Sequence, residues 1–109
     1  MKLKTDKVNI LGVTYTLHED SAITNPHLIN NNACIDLFSK EIIYEPITQT
    51  ITTISNIDDL NKKIIRHELI HAFFHESGLT DYENDEVLVD WIALQFSKLK
   101  EAFQKIGVD

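Results

Sequence analysis

Apolar positions follow two different rhythms along this chain. In the first half they alternate or cluster in short runs, and in the second they recur at spacings of three and four. Residues 8–18, Val-Asn-Ile-Leu-Gly-Val-Thr-Tyr-Thr-Leu-His, are β-branched and aromatic with partial alternation. They predict a strand, or a hairpin turning near Gly12. Residues 19–32 hold acidic, Ser, Asn and Pro residues and end in Asn30-Asn31-Asn32, a loop in which His27 is expected to be exposed. Ala33 to Phe38 alternates again and predicts a second strand. A turn at Ser39-Lys40 leads to a third, Glu41 to Glu45, stopped by Pro46. Residues 47–54 have strand propensity but serve equally well as an irregular approach to a helix.

From residue 57 the period is helical. Ser55 or Asn56 is a good N-cap, Asp58 and Asp59 suit the positive end of the helix dipole, and Gly78 stops a helix over 57–76. Thr80-x-x-Glu83 has the form of a capping box for a second helix, starting at 81–84 and running to 106 before Gly107. On the first helix Ile57, Leu60 and Ile64 form an apolar stripe that runs into His67, Glu68 and His71. On the second, Leu88, Trp91, Ile92, Gln95, Leu99 and Ile106 form the main stripe, with Glu86 and Asp90 on a ridge of their own. The expected fold class is α+β, a small antiparallel or mixed β-sheet packed on two helices in a single domain over 1–109.

Composition narrows the function. A chain of 109 residues holds one core but is short for a two-lobed enzyme. The formal net charge of −7, with no Lys/Arg cluster, argues against nucleic acid as a partner. Cys34 is the single cysteine; it cannot form an internal disulfide and reads as a small hydrophobe in a reducing compartment. The first residues carry charges without a following apolar run, and no run reaches the length of a membrane span. The expectation is a soluble, cytoplasmic protein with no membrane partner.

The chemistry concentrates in His67-Glu68-Leu69-Ile70-His71, the pattern His-Glu-x-x-His. On a helix, residues i and i+4 share a face, so His67 and His71 can aim two imidazole nitrogens at one point, as a tetrahedral zinc site requires. Glu68 sits at the edge of that face, where a general base can reach a metal-activated water without being a ligand. A catalytic zinc site usually takes a third protein ligand. Within the apolar run Val87 to Leu94, Asp90 is a costly carboxylate unless it is paired, and Glu86 lies one turn before it. Glu86, Asp90 and Asp85 are all candidates. A further histidine six residues after His71, preceded by a glycine, is ruled out because Ser77 and Phe74 stand at those positions. His75, one more turn along, reads as a surface or interhelical histidine.

With Glu86-Val87-Leu88-Val89-Asp90 following His67-Glu68-Leu69-Ile70-His71, the chain resembles the zincin metallopeptidases of gluzincin type. Its order of strands, motif helix and ligand helix is similar to compact ImmA/IrrE-type and phage-encoded peptidases. The resemblance covers residues 33–95. It implies a zincin-like minimal core and a Zn2+ cofactor held by His67, His71 and Glu86. Asp90 would accept a hydrogen bond from a ligand histidine. It also implies a peptide or protein substrate, aligned along an edge strand for which 41–45 is the candidate. Glu68 is then the general base of peptide hydrolysis, and Tyr82 the first candidate to stabilise the oxyanion, with Tyr44 and His27 behind it. The rival is a non-catalytic protein-interaction module of phage-regulator type on the same scaffold, its acidic surface suited to a basic partner. A purely structural zinc site is disfavoured by the single cysteine.

Overall fold

The first hairpin sets the sheet. In the computed structural model, which describes residues 2–48 and 56–109, β1 (Lys7–Ile10) and β2 (Val13–Glu19) pair antiparallel around a two-residue turn. Leu11 and Gly12 both have positive φ, 51° and 95°, the backbone twist that a tight hairpin needs. The Asn9 side chain accepts from Gly12 N at 2.9 Å and secures the turn.

Two further strands complete a four-stranded mixed sheet of order β1-β2-β4-β3. β3 (Ala33–Asp36) and β4 (Glu41–Tyr44) form an antiparallel hairpin, and β4 lies parallel to β2. β3 stops short of the expected Phe38 because the Asp36 carboxylate accepts from Phe38 N and Ser39 N, bending the chain into a turn. Phe38 is left 96% exposed. β4 has a strand on each side, so the expected edge at 41–45 is interior; the edge beside the helices is β3.

Alternation then sorts the sheet's faces. Ile10, Tyr15, Leu17, Ile35 and Ile42 turn to the core and meet Ile65, Leu69 and Ala72 of α1 (Ile57–Glu76). On α1 the buried positions are Asn61, Ile65, His71 and Ala72. The core stripe is thus rotated from the expected Ile57-Leu60-Ile64 line: Leu60 is exposed and Ile64 lines a cleft. Asn61 is buried because its amide makes a two-point pair with Ile47, accepting from Ile47 N (2.8 Å) and donating to Ile47 O (3.1 Å). Ser55 and most of the ambiguous 47–54 stretch lie outside the described residues. Asn56 stands at the N-cap of α1 but in the left-handed region, and its amide donates to Asp59 instead of capping.

α2 (Glu86–Ile106) packs on α1 through Val89 and Ala93, both fully buried, and Arg66 Nε donates to Ala93 O at 3.0 Å. Its start corrects the capping-box expectation. Asp85 is the N-cap, accepting from Leu88 N at 3.0 Å, while the Glu83 side chain turns to His75. The expected stripe fails at Trp91 and Ile106, both exposed. The sheet, α1 and α2 make an α+β fold, and among the described residues no helix is long and apolar enough to cross a membrane.

Candidate metal centre

The site forms where the cleft-facing side of α1 meets the first turn of α2 and the edge strand β3. The cleft, about 610 Å³, is lined by Cys34 and Ile35 from β3, by Lys63, Ile64, His67, Glu68 and His71 from α1, and by Glu83, Asn84, Glu86 and Asp90. His67 and His71, one turn apart, bring their Nε2 atoms to 3.2 Å. Glu86 reaches both: Oε2 is 2.8 Å from His67 Nε2 and Oε1 is 3.0 Å from His71 Nε2. The histidines are buried or nearly so, whereas the Glu86 side chain is 66% exposed.

The outer nitrogens decide the protonation of the inner ones. His67 Nδ1 faces Asp90 Oδ1 at 3.1 Å, and His71 Nδ1 faces the main-chain carbonyl of Glu83. A carbonyl and an ionised carboxylate can only accept, so each Nδ1 carries a proton, and a ring that is neutral then offers its lone pair at Nε2. With both rings neutral, two nitrogen lone pairs and two carboxylate oxygens converge with no hydrogen among them. Such a set is repulsive unless a cation sits within it. The three separations are slightly shorter than the edge, about 3.3 Å, of a tetrahedron with bonds of about 2.0 Å. Two imidazoles and a carboxylate are a donor set that suits zinc, and these residues fit it.

Asp90 is held in turn. Lys63, one turn before His67 on α1, pairs with Asp90 Oδ1. That bond, helped by the one to His67, keeps the Asp90 carboxyl below the usual carboxylate range against the opposing pull of burial. Burial pushes the Glu68 carboxyl up; the imidazoles of His67 and His71 draw it back, and Glu86 adds to the rise. The Cys34 thiol is pushed up by burial, then by Glu68 and Asp36, so it stays protonated in the cleft and is a poor nucleophile at neutral pH.

Of the residues singled out in the sequence, the structure brings His67, His71, Glu68, Glu86 and Asp90 together. Asp85 is occupied as the helix cap. Tyr82 is half exposed, its ring 6.2 Å from that of Phe74, and it is not among the cleft-lining residues. Tyr44 packs in the core beside Ile42, and His27 borders a separate cavity with Asp36 and Glu41. Lys63 and Glu83 were missed. Lys63 carried a signal, its four-residue spacing from His67; Glu83 contributes a main-chain atom, which no residue type announces. No protein-family model, curated protein or solved structure matches this chain.

Proposed function

We propose that this chain is a zinc-dependent metallopeptidase that hydrolyses peptide bonds. The observation that carries the reading is the convergence of two imidazole Nε2 atoms and the Glu86 carboxylate beside a half-buried Glu68. His67, His71 and Glu86 would hold the metal, which when bound polarises a scissile carbonyl and acidifies a water. Glu68 is placed in the same cleft without being needed as a ligand. It takes the proton of the attacking water and delivers it to the leaving amine.

β3 supports a peptide substrate. Glu45 N donates to Asn32 O, so by antiparallel alternation the main-chain groups of Ala33 and Ile35 point to the open edge of the sheet. An extended peptide adding to that edge lies along the cleft. Donors for its oxyanion come from cleft-lining amides, Asn84 first and Asn32 next, in place of Tyr82.

One observation favours the rival interaction module. Beside His67, Glu86 and Asp90 a second groove is lined by Val87, Trp91 and Leu94, all exposed, and such an apolar shelf suits a protein partner as well as a substrate. Metal content, followed by mass-spectrometric reading of a mixed peptide library, separates the two. The expected result is about one zinc per chain and cleavage that Glu68→Gln lowers by roughly 10²–10⁴-fold while zinc stays bound. Absence of zinc at neutral pH even after its addition, or cleavage that survives Glu68→Gln, would overturn the peptidase.

A further inference from the structure

Three histidines succeed one another along α1 at four-residue spacing: His67, His71 and His75. The first two turn Nε2 to the candidate metal centre; the third has another partner. His75 Nδ1 lies 2.8 Å from Glu83 Oε2, and Glu83 is the residue whose main-chain carbonyl meets His71 Nδ1.

We infer that His75 is a positioning residue which, by gripping the Glu83 carboxylate, holds the Glu83 carbonyl against His71 Nδ1 and thereby fixes His71 Nε2 as the metal-binding nitrogen. This rests on the zinc reading of the site, but its geometry is independent of any bound ion.

The need for such a grip lies in where Glu83 sits. It falls between α1 and α2, where no helix or sheet ladder fixes its peptide plane. The loop turns on Tyr82 N→Leu79 O (3.0 Å) and Asp85 N→Tyr82 O (3.1 Å), bonds that flank Glu83 without involving its own peptide groups. The Glu83 side chain is only 16% exposed and is the handle by which α1 reaches that peptide. The other ring nitrogen of His75 lies 3.9 Å from Glu76 Oε1, so a carboxylate stands on each side of the ring. If the Glu83 carbonyl turned away, His71 Nδ1 would lose its acceptor. The tautomer with the proton on Nε2, which cannot bind metal through that nitrogen, would then be open to it. His67 has a parallel arrangement, but its acceptor is the side chain of Asp90, on a helix that needs no such handle.

The test compares His75→Ala with His75→Asn, whose amide Nδ2 can donate where ring Nδ1 did. Two readouts are taken: the zinc dissociation constant by chelator competition, and the His71 tautomer in the metal-free protein by long-range ¹H–¹⁵N NMR. His75→Ala is expected to weaken zinc binding about tenfold or more and to give His71 a mixed tautomer signature, with His75→Asn restoring most of both. Glu83→Ala removes the same bond from the other side while keeping the carbonyl. It is expected to behave like His75→Ala and replaces it should that variant fail to fold. Wild-type zinc affinity and a single His71 tautomer in His75→Ala or Glu83→Ala, even with a lowered Tm, would overturn the inference and leave His75 as loop packing. A wild type that binds no zinc would sink the metal-site reading, while the tautomer comparison would still decide the role of His75.

Discussion

The two helices bring candidate ligand atoms to one point by opposite means. α1 is held on two sides, by the sheet and by α2, and its histidines are set in that packing. α2 touches α1 through Val89 and Ala93, and from Phe96 onward most of its side chains are exposed. Its candidate ligand, Glu86, is the first residue of the helix, beside the Asp85 cap and facing the two histidines. A motif set in a core is placed by packing; a candidate ligand at a helix start is placed by its cap and by the cation it would meet. The α1 half of the site should accordingly exist before metal arrives, and the α2 half should depend on it.

Substitutions on each helix test that asymmetry, and the largest effect belongs to α1. A bound structural-type zinc is worth roughly 10 kcal/mol or more, so removing one of three ligands costs on the order of a thousandfold in affinity. His71→Ala should show at least this loss. Glu86→Gln keeps an oxygen donor at an exposed position, and its loss should be smaller, with metal binding still measurable by competition. Equal losses from both variants would mean that α2 is as fixed as α1. That would break the contrast.

Stability should divide in the same way. Ile65 is buried between Leu17 and Ile42, and Ile65→Ala should destabilise by about 2–5 kcal/mol through lost burial and the cavity left behind. Phe103 is as large an apolar residue, but it stands half exposed on the distal turns of α2. Phe103→Ala should fall within about 0.5 kcal/mol. Urea titration of both variants measures the difference. A cost for Phe103 comparable to that of Ile65 would show that the far half of α2 is engaged by a second molecule in solution.

The same contrast explains what could be read in the sequence. The hairpin at Gly12, the strands at 33 and 41, the extent of α1 and the His67–Glu68–His71 face all follow from local chemistry: turn residues, alternation, and a four-residue spacing. What failed depended on distant partners. Leu60 and Trp91 look like core residues by periodicity, yet a helix with unequal neighbours buries whichever side the sheet or the other helix covers. On α1 that side is the line of Asn61 and Ile65. Thr80 and Glu83 have the spacing of a capping box, but His75 competes for Glu83 and Asp85 makes the cap. The interior position of β4 follows from its parallel pairing with β2, a long-range contact that strand patterns do not encode. Glu86 and Asp90 lay between these cases: their spacing marked a ridge, and only the α1–α2 packing showed what faces it.

The smallest expected effect concerns how α1 is tied to the sheet at its far end, a tie with no counterpart on α2 among the described residues. Lys40, in the β3–β4 turn, donates to Glu76 Oε1 at 2.8 Å, and Tyr15 OH donates to the same oxygen at 3.2 Å. The Lys40 bond, then the Tyr15 bond, hold the Glu76 carboxyl below the usual carboxylate range. A carboxyl depressed in the folded state adds stability above its unfolded pKa and loses that contribution as pH falls through the folded value. Lys40 is raised, chiefly by Glu76, so its share is full below its unfolded pKa and is lost as pH rises through the raised one. Lys40→Met should therefore lower stability modestly at neutral pH, with the gap to wild type closing both below the carboxylate range and above the lysine range. The midpoint of urea unfolding across pH for both proteins is the measurement. A gap that persists unchanged at acid pH would assign the effect to the Lys40 stem and to its ammonium, 5.6 Å from the Tyr15 ring centroid, because both survive protonation of Glu76. The end of α1 would then be anchored by packing and by the contact of the ammonium with the Tyr15 ring, without help from the ion pair.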